Sequence, residues 1–250
     1  MPEDHFGEDV ASRYDEDEAT MFAPEAIEPA VDYLAALAGD RPVLEFAIGT
    51  GRVALPLRER GVEVHGIDLS TAMVARLRAK PGGADVPVVL GDFASAETGR
   101  EFGLVYLVFN TIGNLTSQAE QVACFRNAAR HLATGGHFVI EVCVPGVLGL
   151  APGETFRPFD VSPDHVGIDE YDPVTQSLIS HHFYREGDTW RRGYTPLRYT
   201  WPSELDLMAQ LAGMTLVERW GDWDRTPYDG SSTKHISAWQ RLPESADSKV

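Results

Sequence analysis

A glycine-rich turn with an acidic residue just before it is the part of the sequence best suited to hold a ligand. The residues Gly49-Thr50-Gly51-Arg52-Val53-Ala54 match the G-x-G-x-x-G/A pattern of dinucleotide-binding loops. Backbone N–H groups at a helix N-terminus attract phosphate, and Asp68, seventeen residues after Gly51, could hydrogen-bond a ribose. Because any ligand that needs a close backbone approach selects the same glycines, the loop alone predicts only a nucleotide-like ligand.

Three successive predicted strands end in an acidic residue, namely Glu45, Asp68 and Asp92. Ligands of parallel sheets bind over the C-terminal ends of the strands, so we expect these carboxylates to face one ligand. Glu45 would repel the phosphates of a dinucleotide but attract the ammonium of S-adenosylmethionine (SAM), which carries a sulfonium and no phosphate. Asp68 could accept both ribose hydroxyls, and Asp92 could accept the adenine amino group with Phe93 against the ring. The charge of the ligand favours SAM, and an NAD(P)-dependent oxidoreductase using the same loop is the alternative.

The elements that must position these residues alternate between strand and helix. Apolar runs predict strands at 42–46, 62–69, 86–92, 102–110 and 137–144, and helical spacing predicts helices at 52–60 and 71–80. Ser117 and Glu120 form a capping box that opens a further helix. The continuous apolar run FGLVYLVFN is typical of a strand buried on both faces. This alternation predicts an α/β fold with a doubly wound parallel sheet.

The pattern changes after Pro145 and predicts a β-rich insertion. The segments HVGIDEYD, SLISHHFYRE and TWRRGYTPLRYTW are typical of short strands separated by turns. Ser203 is expected to cap a helix, and the segments MTLVERWGDWD and HISAWQRL predict a closing hairpin. We therefore divide the chain into an N-terminal lid and helix (1–40), a ligand-binding core (41–145), the insertion (146–201), a C-terminal helix and hairpin (202–242) and a disordered tail (243–250).

Three segments together resemble the successive nucleotide motifs of the class I SAM-dependent methyltransferases. They are Glu45-Phe46-Ala47-Ile48-Gly49-Thr50-Gly51, then Ile67-Asp68-Leu69-Ser70 with Met73, and Leu90-Gly91-Asp92-Phe93. The likeness extends from Val43 to about Val144, and it implies a seven-stranded Rossmann-like sheet with an antiparallel last strand. Ala47 stands where the family usually has its first glycine, which should shift the loop only slightly. The resemblance implies SAM contacts from Tyr14, Glu45, Ala47, Gly49, Gly51, Asp68, Leu69, Met73, Asp92, Phe93 and Phe109.

The segment SRYDEDEA near the N-terminus resembles the lid of small-molecule methyltransferases that act on amino sugars. This likeness implies that Tyr14 reaches the methionine carboxylate of SAM. Tyr14 could instead be a surface packing residue. We expect the acidic segment to be mobile and to close over the bound cofactor.

Methyl transfer from a sulfonium is an in-line displacement that depends mainly on alignment, so it requires neither a catalytic triad nor a metal. Alignment alone can lower the activation free energy by ~7–11 kcal/mol. In the loop after the fourth strand, Asn110 and Asn114 could orient a polar acceptor, or they could serve the turn itself. Glu141 could face the cleft or form a buried pair. The insertion is expected to cover the acceptor with an aromatic wall of Tyr184, Trp190, Tyr194, Tyr199 and Trp201, although these rings could equally form its own core or a dimer surface.

A histidine pair in the insertion supplies the candidate bases. His181 and His182 are adjacent on a predicted strand, so they point to opposite faces and at most one faces the acceptor. A hydroxyl acceptor requires a base within hydrogen-bond reach, whereas an amine must arrive with its lone pair free. Asn110, His181 and His182 are thus the catalytic candidates. Each histidine could also be structural.

Composition limits the classes of function. A net charge of −17 without clustered Lys or Arg disfavours nucleic-acid partners. No run approaches the roughly 18 apolar residues of a membrane helix, and Cys124 and Cys143 lie in apolar segments, which predicts buried free thiols. We expect a cytoplasmic enzyme that uses SAM to methylate a nitrogen or oxygen of a small molecule. A non-catalytic SAM-binding protein is a further alternative. The protein could also form a homodimer.

Overall fold

The computed structural model describes residues 5–243 of the chain. The predicted disordered tail therefore lies, from residue 244 onward, outside the described residues. The strands of the described part are β1 (Val43–Phe46), β2 (Val64–Asp68), β3 (Val88–Leu90), β4 (Phe102–Leu107), β5 (Leu132–Cys143), β6 (Phe156–Val161), β7 (His165–Asp172), β8 (Ser177–Glu186), β9 (Thr189–Arg198), β10 (Met214–Trp220) and β11 (Lys234–Arg241). Its α-helices are α1 (Glu8–Ala11), α2 (Tyr14–Asp17), α3 (Pro24–Ala38), α4 (Ala54–Glu59), α5 (Thr71–Ala79), α6 (Gln118–His131) and α7 (Pro202–Leu211).

Seven strands form one mixed sheet in the order β10-β11-β5-β4-β1-β2-β3. The strands from β1 to β5 are parallel, and β11 is antiparallel to both β5 and β10. The predicted Rossmann-like sheet with an antiparallel last strand is confirmed. The strand order reverses beside β1 and β4, because the chain crosses from β3 to the far side of β1. Ligands of such sheets bind at this reversal.

The helices pack on both faces of this sheet. On one face, α6 and α7 cover a cluster that includes Phe46, Phe125 and Trp239. On the other face, α3, α4 and α5 cover a second cluster that includes Leu34 and Leu104. Every residue of β1 and of β4 is buried, which explains why the predicted fourth strand shows no polar alternation. Each such fully buried apolar side chain stabilises the fold by about 1.5–3 kcal/mol.

Local signals in the sequence explain the helix boundaries. α3 ends at Gly39, which has a φ of +57°, and the capping box of Ser117 and Glu120 opens α6 as predicted. The prediction that Ser203 caps α7 is wrong, because Trp201 is the N-cap and Pro202 occupies the first turn. Proline suits that position, where an N–H would have no partner within the helix, and it holds the residue before it in an extended conformation.

The insertion is a four-stranded antiparallel sheet in the order β6-β7-β8-β9. Three of its strands match the predicted segments, but β6 lies in a stretch whose Pro and Gly content predicted no strand. Pro158 is tolerated because β6 is an edge strand and its pairing shifts register beside that proline. A small core of Tyr171, Leu178 and Tyr199 lies against Trp201. Among residues 5–243, no helix is both long and apolar enough to cross a bilayer.

Candidate functional site

A cavity lies over the C-terminal ends of β1, β2 and β3, beneath the N-terminal segment. Its lining includes eight of the eleven predicted cofactor residues, namely Tyr14, Ala47, Gly49, Asp68, Leu69, Met73, Asp92 and Phe93. His5, Phe6, Ser70, Thr111, Asn114 and Leu115 complete it. Glu45, Gly51 and Phe109 do not line it. The parallel sheet explains the convergence, because the acidic ends of its strands meet at one edge.

The carboxylate of Asp68 organises the floor of this cavity. Its Oδ2 accepts the backbone N–H of Gly49 at 2.6 Å, and its Oδ1 accepts that of Ser70 at 2.8 Å. The glycine loop after β1 is thus tied to the start of α5 after β2. The carboxylate also lines the cavity, and carboxylate oxygens accept hydrogen bonds from ligand hydroxyl groups.

Left-handed backbone conformations bring the glycine loop close to the cavity. Gly49 and Gly51 have φ angles of +57° and +85°, and Ala47 has one of +52°. A Cβ on Gly51 would lie 2.3 Å from Cδ1 of Leu77. Gly51 is therefore required for packing against α5 and does not face the cavity. Ala47 adopts a conformation that costs an L-residue roughly 1–2 kcal/mol, which is why the family pattern has glycine there.

Glu45 lies behind the loop, which corrects the expectation that it faces the ligand. Its side chain is 3% exposed, and its Oε2 accepts the hydroxyl of Tyr106 at 2.9 Å. It also accepts the backbone N–H of Ala54, the first residue of α4. Burial raises the pKa of Glu45 to about 8, although these hydrogen bonds oppose the shift. Glu45 therefore supports the loop from behind, through Tyr106 and the backbone of Ala54.

At the β3 end of the cavity, Asp92 and Phe93 stand beside each other as predicted. Oδ1 of Asp92 accepts the backbone N–H of Ala94 at 2.8 Å, which fixes the orientation of the carboxylate. The ring of Phe93 is 7% exposed and packs 5.9 Å from that of Phe46. This end therefore combines a fixed acceptor with an apolar ring.

The N-terminal segment from His5 to Phe22, called the lid below, lies over the cavity. Thr50 Oγ1 donates to Asp15 at 2.6 Å, and Ser70 Oγ donates to the backbone oxygen of Phe6 at 2.7 Å. Tyr14 lines the cavity from above. Burial, and secondarily Glu18, raises the pKa of Tyr14 to about 12. Its hydroxyl therefore stays protonated and can donate a hydrogen bond to a ligand.

A strained turn follows β4. Phe109 and Asn110 have φ angles of +60° and +57°, which is exceptional for a bulky aromatic residue. Glu141 holds the turn: its Oε2 accepts the N–H of Phe109 at 2.9 Å, and its carbonyl accepts that of Asn110 at 3.0 Å. Oδ1 of Asn110 accepts the N–H of Cys143. Asn110 thus supports the turn through its Oδ1, and its catalytic role stays a prediction, whereas Asn114 lines the cavity over β1, β2 and β3.

A second cavity of about 350 Å³ lies beyond this turn, between α3, the end of β5 and the loop before β11. Three of its charged groups, Lys234, Asp222 and Glu141, form one cluster. Lys234 Nζ lies 2.8 Å from Asp222 and 3.3 Å from Glu141, to which Trp223 Nε1 also donates. Arg52 reaches its edge, with its guanidinium carbon 5.1 Å from the centre of the Phe109 ring. No role for Arg52 was predicted. Its place directly after Gly51, at the start of a helix, could have indicated that it lies near the site.

The two histidines of β8 lie on opposite faces of the insertion sheet, as predicted. Nε2 of His181 lies 2.9 Å from Glu170, on the face called outer below. Nδ1 of His182 lies 3.0 Å from Nε2 of His165, on the inner face. His181 thus hydrogen-bonds Glu170 on the outer face, and its catalytic role stays a prediction. His165 was not among the predicted site residues, because only the pairing of β7 with β8 brings it to His182.

The predicted aromatic wall is divided among three places. Tyr184 lies on the inner face, where its ring stacks 4.7 Å from that of His165. Trp190 and Tyr194 are exposed, and Tyr199 and Trp201 belong to the small core of the insertion. The lid reaches the insertion sheet through Arg13, which lies 3.1 Å from Glu186, and Asp17, which lies 3.9 Å from Arg191.

Comparison with known proteins identifies the family. Residues 43–136 match the profile of a family described as a methyltransferase domain. The structure of the CcbJ methyltransferase from Streptomyces caelestis is 39% identical in sequence, with a TM-score of 0.84 over 96% of this chain and 98% of that one. The cypemycin N-terminal methyltransferase of a Streptomyces species is 28% identical over 92% of this chain and 98% of its own length.

A third relative matches over a shorter range. The dTDP-3-amino-3,6-dideoxy-alpha-D-glucopyranose N,N-dimethyltransferase of Streptomyces fradiae is 33% identical over 40% of this chain and 38% of its own length. Other solved methyltransferases that share the fold at 20% identity hold SAM or its product. The NAD(P)-dependent alternative gains no support from these relatives. The chain belongs to the SAM-dependent methyltransferases.

Proposed function

We propose that this enzyme transfers the methyl group of SAM to an amine nitrogen of a small molecule. The observation that carries the assignment of the site is the charge of the cofactor cavity. Among the described residues, its lining contains Asp68 and Asp92 but no Lys or Arg. Such a lining suits a cationic ligand without phosphates and disfavours a dinucleotide, because two carboxylates with no Lys or Arg beside them repel a pyrophosphate.

We assign the parts of SAM along this cavity in the order of the strands. Asp92 accepts the adenine amino group, with Phe93 against the ring, and Asp68 accepts the ribose hydroxyls. The methionine portion lies along the backbone of Gly49, and Tyr14 donates to its carboxylate. Ala47, Leu69 and Met73 supply apolar contacts. Glu45, Gly51 and Phe109 act indirectly, because each shapes the loops without lining the cavity.

The chemistry requires alignment more than it requires reactive groups. The acceptor nitrogen attacks the methyl carbon in line with the sulfur. Holding the two reactants in this alignment can lower the activation free energy by ~7–11 kcal/mol. The strained turn at Phe109 stands at the end of β4, next to the methionine end of the cavity. The lid covers the cofactor and excludes water, which strengthens the electrostatic contacts beneath it.

Two observations support an amine as the acceptor. The lid carries Asp17 and Glu18 toward the inner face of the insertion sheet, since both raise the pKa of Tyr184, after burial. Asp17 also lies 3.9 Å from Arg191, so Glu18 is the carboxylate that would attract a positively charged amine. Among the relatives, one is named as a cypemycin N-terminal methyltransferase and another for an amino sugar, and an N-terminus and an amino sugar both offer an amine.

A methylation assay with matched acceptors tests this proposal. The purified protein is incubated with SAM and one acceptor at a time: a dTDP-amino sugar, its hydroxyl analogue, a short peptide with a free N-terminus and the same peptide N-acetylated. We expect mass spectrometry to show one or two added methyl groups on an amine and on neither blocked analogue. Methylation of the hydroxyl analogue alone would overturn the amine assignment. SAM binding without transfer to any acceptor would favour a non-catalytic SAM-binding protein.

We place the enzyme in the cytoplasm. Both cysteines are free, which suits a reducing compartment. Cys124 is buried as expected, whereas Cys143 is exposed at the end of β5.

We also propose that the exposed part of the insertion sheet mediates a homodimer. The edge strand β6 exposes Phe156 and Val161, and the outer face exposes Tyr194. Light scattering during gel filtration tests this. Phe156→Glu should convert the dimer to a monomer, and a monomeric wild-type protein would contradict the proposal.

A further inference from the structure

A row of hydrogen-bonded side chains crosses the inner face of the insertion sheet. Oδ2 of Asp160 lies 2.6 Å from Nδ1 of His165, and Nε2 of His165 lies 3.0 Å from Nδ1 of His182. Nε2 of His182 lies 3.2 Å from Oγ of Ser180. The members come from β6, β7 and β8, so the sheet rather than the local sequence assembles the row.

The carboxylate at one end determines which nitrogen of each ring carries hydrogen. An ionised Asp160 can only accept, so Nδ1 of His165 donates to it and Nε2 of a neutral His165 is an acceptor. Nδ1 of His182 must then donate, which leaves the lone pair of His182 on Nε2. The hydroxyl of Ser180 meets this nitrogen, but it also hydrogen-bonds Asp169. When the hydroxyl turns to Asp169, Nε2 of His182 is available as a base.

The basic nitrogen lies on the side of the sheet that faces the lid. His182 pairs with Gly193 of β9, and a Cβ on Gly193 would meet no atom within 4 Å, so space beside the histidine is open. Glu18 of the lid interacts electrostatically with His165 and with Tyr14, which lines the cofactor cavity. The row and the cofactor cavity therefore face the same part of the lid.

We propose that Asp160 and His165 are positioning residues that hold His182 as the base receiving the proton of the acceptor amine. This inference rests on the proposed function. An amine attracted by the acidic lid arrives protonated and has no lone pair, so one N–H proton must leave first. The proton moves to Nε2 of His182. The freed lone pair forms the N–C bond while the S–C bond breaks, and the S–C electron pair stays on sulfur.

The same row also gives the proton a path from His182 to solvent. Protonation at Nε2 of His182 allows its Nδ1 proton to pass to His165 and onward toward Asp160, whose side chain is 43% exposed to water. The pKa of His182 is lowered by burial first, and then by His165 and His181, so the ring is neutral before the acceptor binds. The other groups that face the row are Asp17 and Glu18 of the lid, Asp169 of β7, Tyr184 of β8 and Arg191 of β9.

The pH profile of kcat/KM separates positioning from a merely structural role. The assay uses SAM and whichever amine of the panel above is methylated, with Asp160→Asn as the variant. Removing the negative charge weakens proton binding by the histidine pair, so the acid limb should move to lower pH. Loss of the fixed tautomer should lower the plateau at least tenfold, within the roughly 10²–10⁴-fold range of general-base effects. Affinity for S-adenosylhomocysteine should not change.

The outer face supplies a matched control. Glu170 pairs with His181 at 2.9 Å, so Glu170→Gln removes an equivalent carboxylate–histidine contact from the same sheet. We expect a wild-type profile for this variant. An active Asp160→Asn enzyme with an unmoved acid limb, or the same shift in Glu170→Gln, would overturn this inference alone. A wild-type protein that methylates no amine would overturn the proposed function as well.

A second measurement requires neither acceptor nor variant. In ¹⁵N-histidine-labelled wild-type protein, long-range ¹H–¹⁵N spectra report which ring nitrogen of each histidine is protonated. We expect His165 and His182 to be neutral and protonated on Nδ1 at pH 8. A hydrogen on Nε2 of His182 in the wild-type protein would overturn the proposal, even if Asp160→Asn proved too unstable to assay.

Discussion

The carboxylate of Asp68 accepts the backbone N–H of Gly49 at 2.6 Å, joining the loop after β1 to the end of β2. One side chain thus fixes the glycine loop while it faces the cofactor cavity. A ligand that bonds to Asp68 meets a carboxylate whose position is already fixed by Gly49 and Ser70. Binding therefore requires little further ordering of this group, which favours affinity.

Replacing Asp68 by alanine should weaken cofactor binding. The variant loses two charge-assisted hydrogen bonds to the ribose, each worth about 1.5–3 kcal/mol. We expect the dissociation constant for S-adenosylhomocysteine to rise at least tenfold in calorimetry. Asp32→Ala, which removes an exposed partner of Arg60, is the control and should bind normally. An unchanged affinity in Asp68→Ala, with the fold intact by circular dichroism, would place the ribose elsewhere.

Ala47→Gly should stabilise the protein. The left-handed conformation at Ala47 costs alanine about 1–2 kcal/mol, and the extra entropy that glycine loses on folding offsets about 0.5–1 kcal/mol of this gain. We expect the free energy of unfolding to rise by about 0.5–1 kcal/mol in urea titrations. Ala36→Gly, at an exposed position inside α3, should instead destabilise by about 1 kcal/mol. Equal losses in both variants would show that Ala47 is not strained.

Glu141→Ala should destabilise the turn after β4. The change removes the acceptor of the Phe109 N–H and of Trp223 Nε1, and each buried donor left unpaired costs about 1–3 kcal/mol. We expect a total loss of about 3 kcal/mol in chemical denaturation. Glu141→Gln keeps one acceptor oxygen and should lose clearly less. A loss below about 1 kcal/mol in the alanine variant would mean that water replaces the carboxylate and that the turn needs no support.

Deleting residues 1–18 should reduce turnover while leaving the sheet folded. The deletion removes Tyr14 together with the bond between Asp15 and Thr50, but it removes no strand. We expect a melting temperature close to that of the full chain, weaker SAM binding and a large loss of kcat. Full activity in the truncated enzyme would show that the lid neither binds the cofactor nor excludes water.

The sequence predicted those features that depend on local patterns. The acidic strand ends and the glycine loop identified the cavity, since a parallel sheet must bring Asp68 and Asp92 to one edge. The capping box at Ser117 also came from short-range spacing. The sequence could not predict that Glu45 is buried against Tyr106, because side-chain direction at a loop depends on how the following helix docks.

Contacts between side chains on different strands also could not be predicted from the sequence, because they depend on how the strands pair. His165 and His182 are seventeen positions apart, and their contact depends on the register between β7 and β8. The sequence left two positions open for Glu141, facing the cleft or in a buried pair. The packing of Trp223 and Lys234 against β5 pairs it with Lys234 at the lining of the second cavity. β6 was missed because Pro158 weakens its pattern, although an edge strand tolerates proline.

The measurement that tests the account most directly is calorimetric titration of the wild-type protein with S-adenosylhomocysteine and, separately, with NAD⁺. A cavity that, within residues 5–243, is lined by Asp68 and Asp92 and by no Lys or Arg should bind the first ligand and leave the second unbound. Asp68→Ala should weaken the first titration and leave the second unchanged. Binding of NAD⁺ in preference to S-adenosylhomocysteine would contradict the assignment of this cavity to SAM.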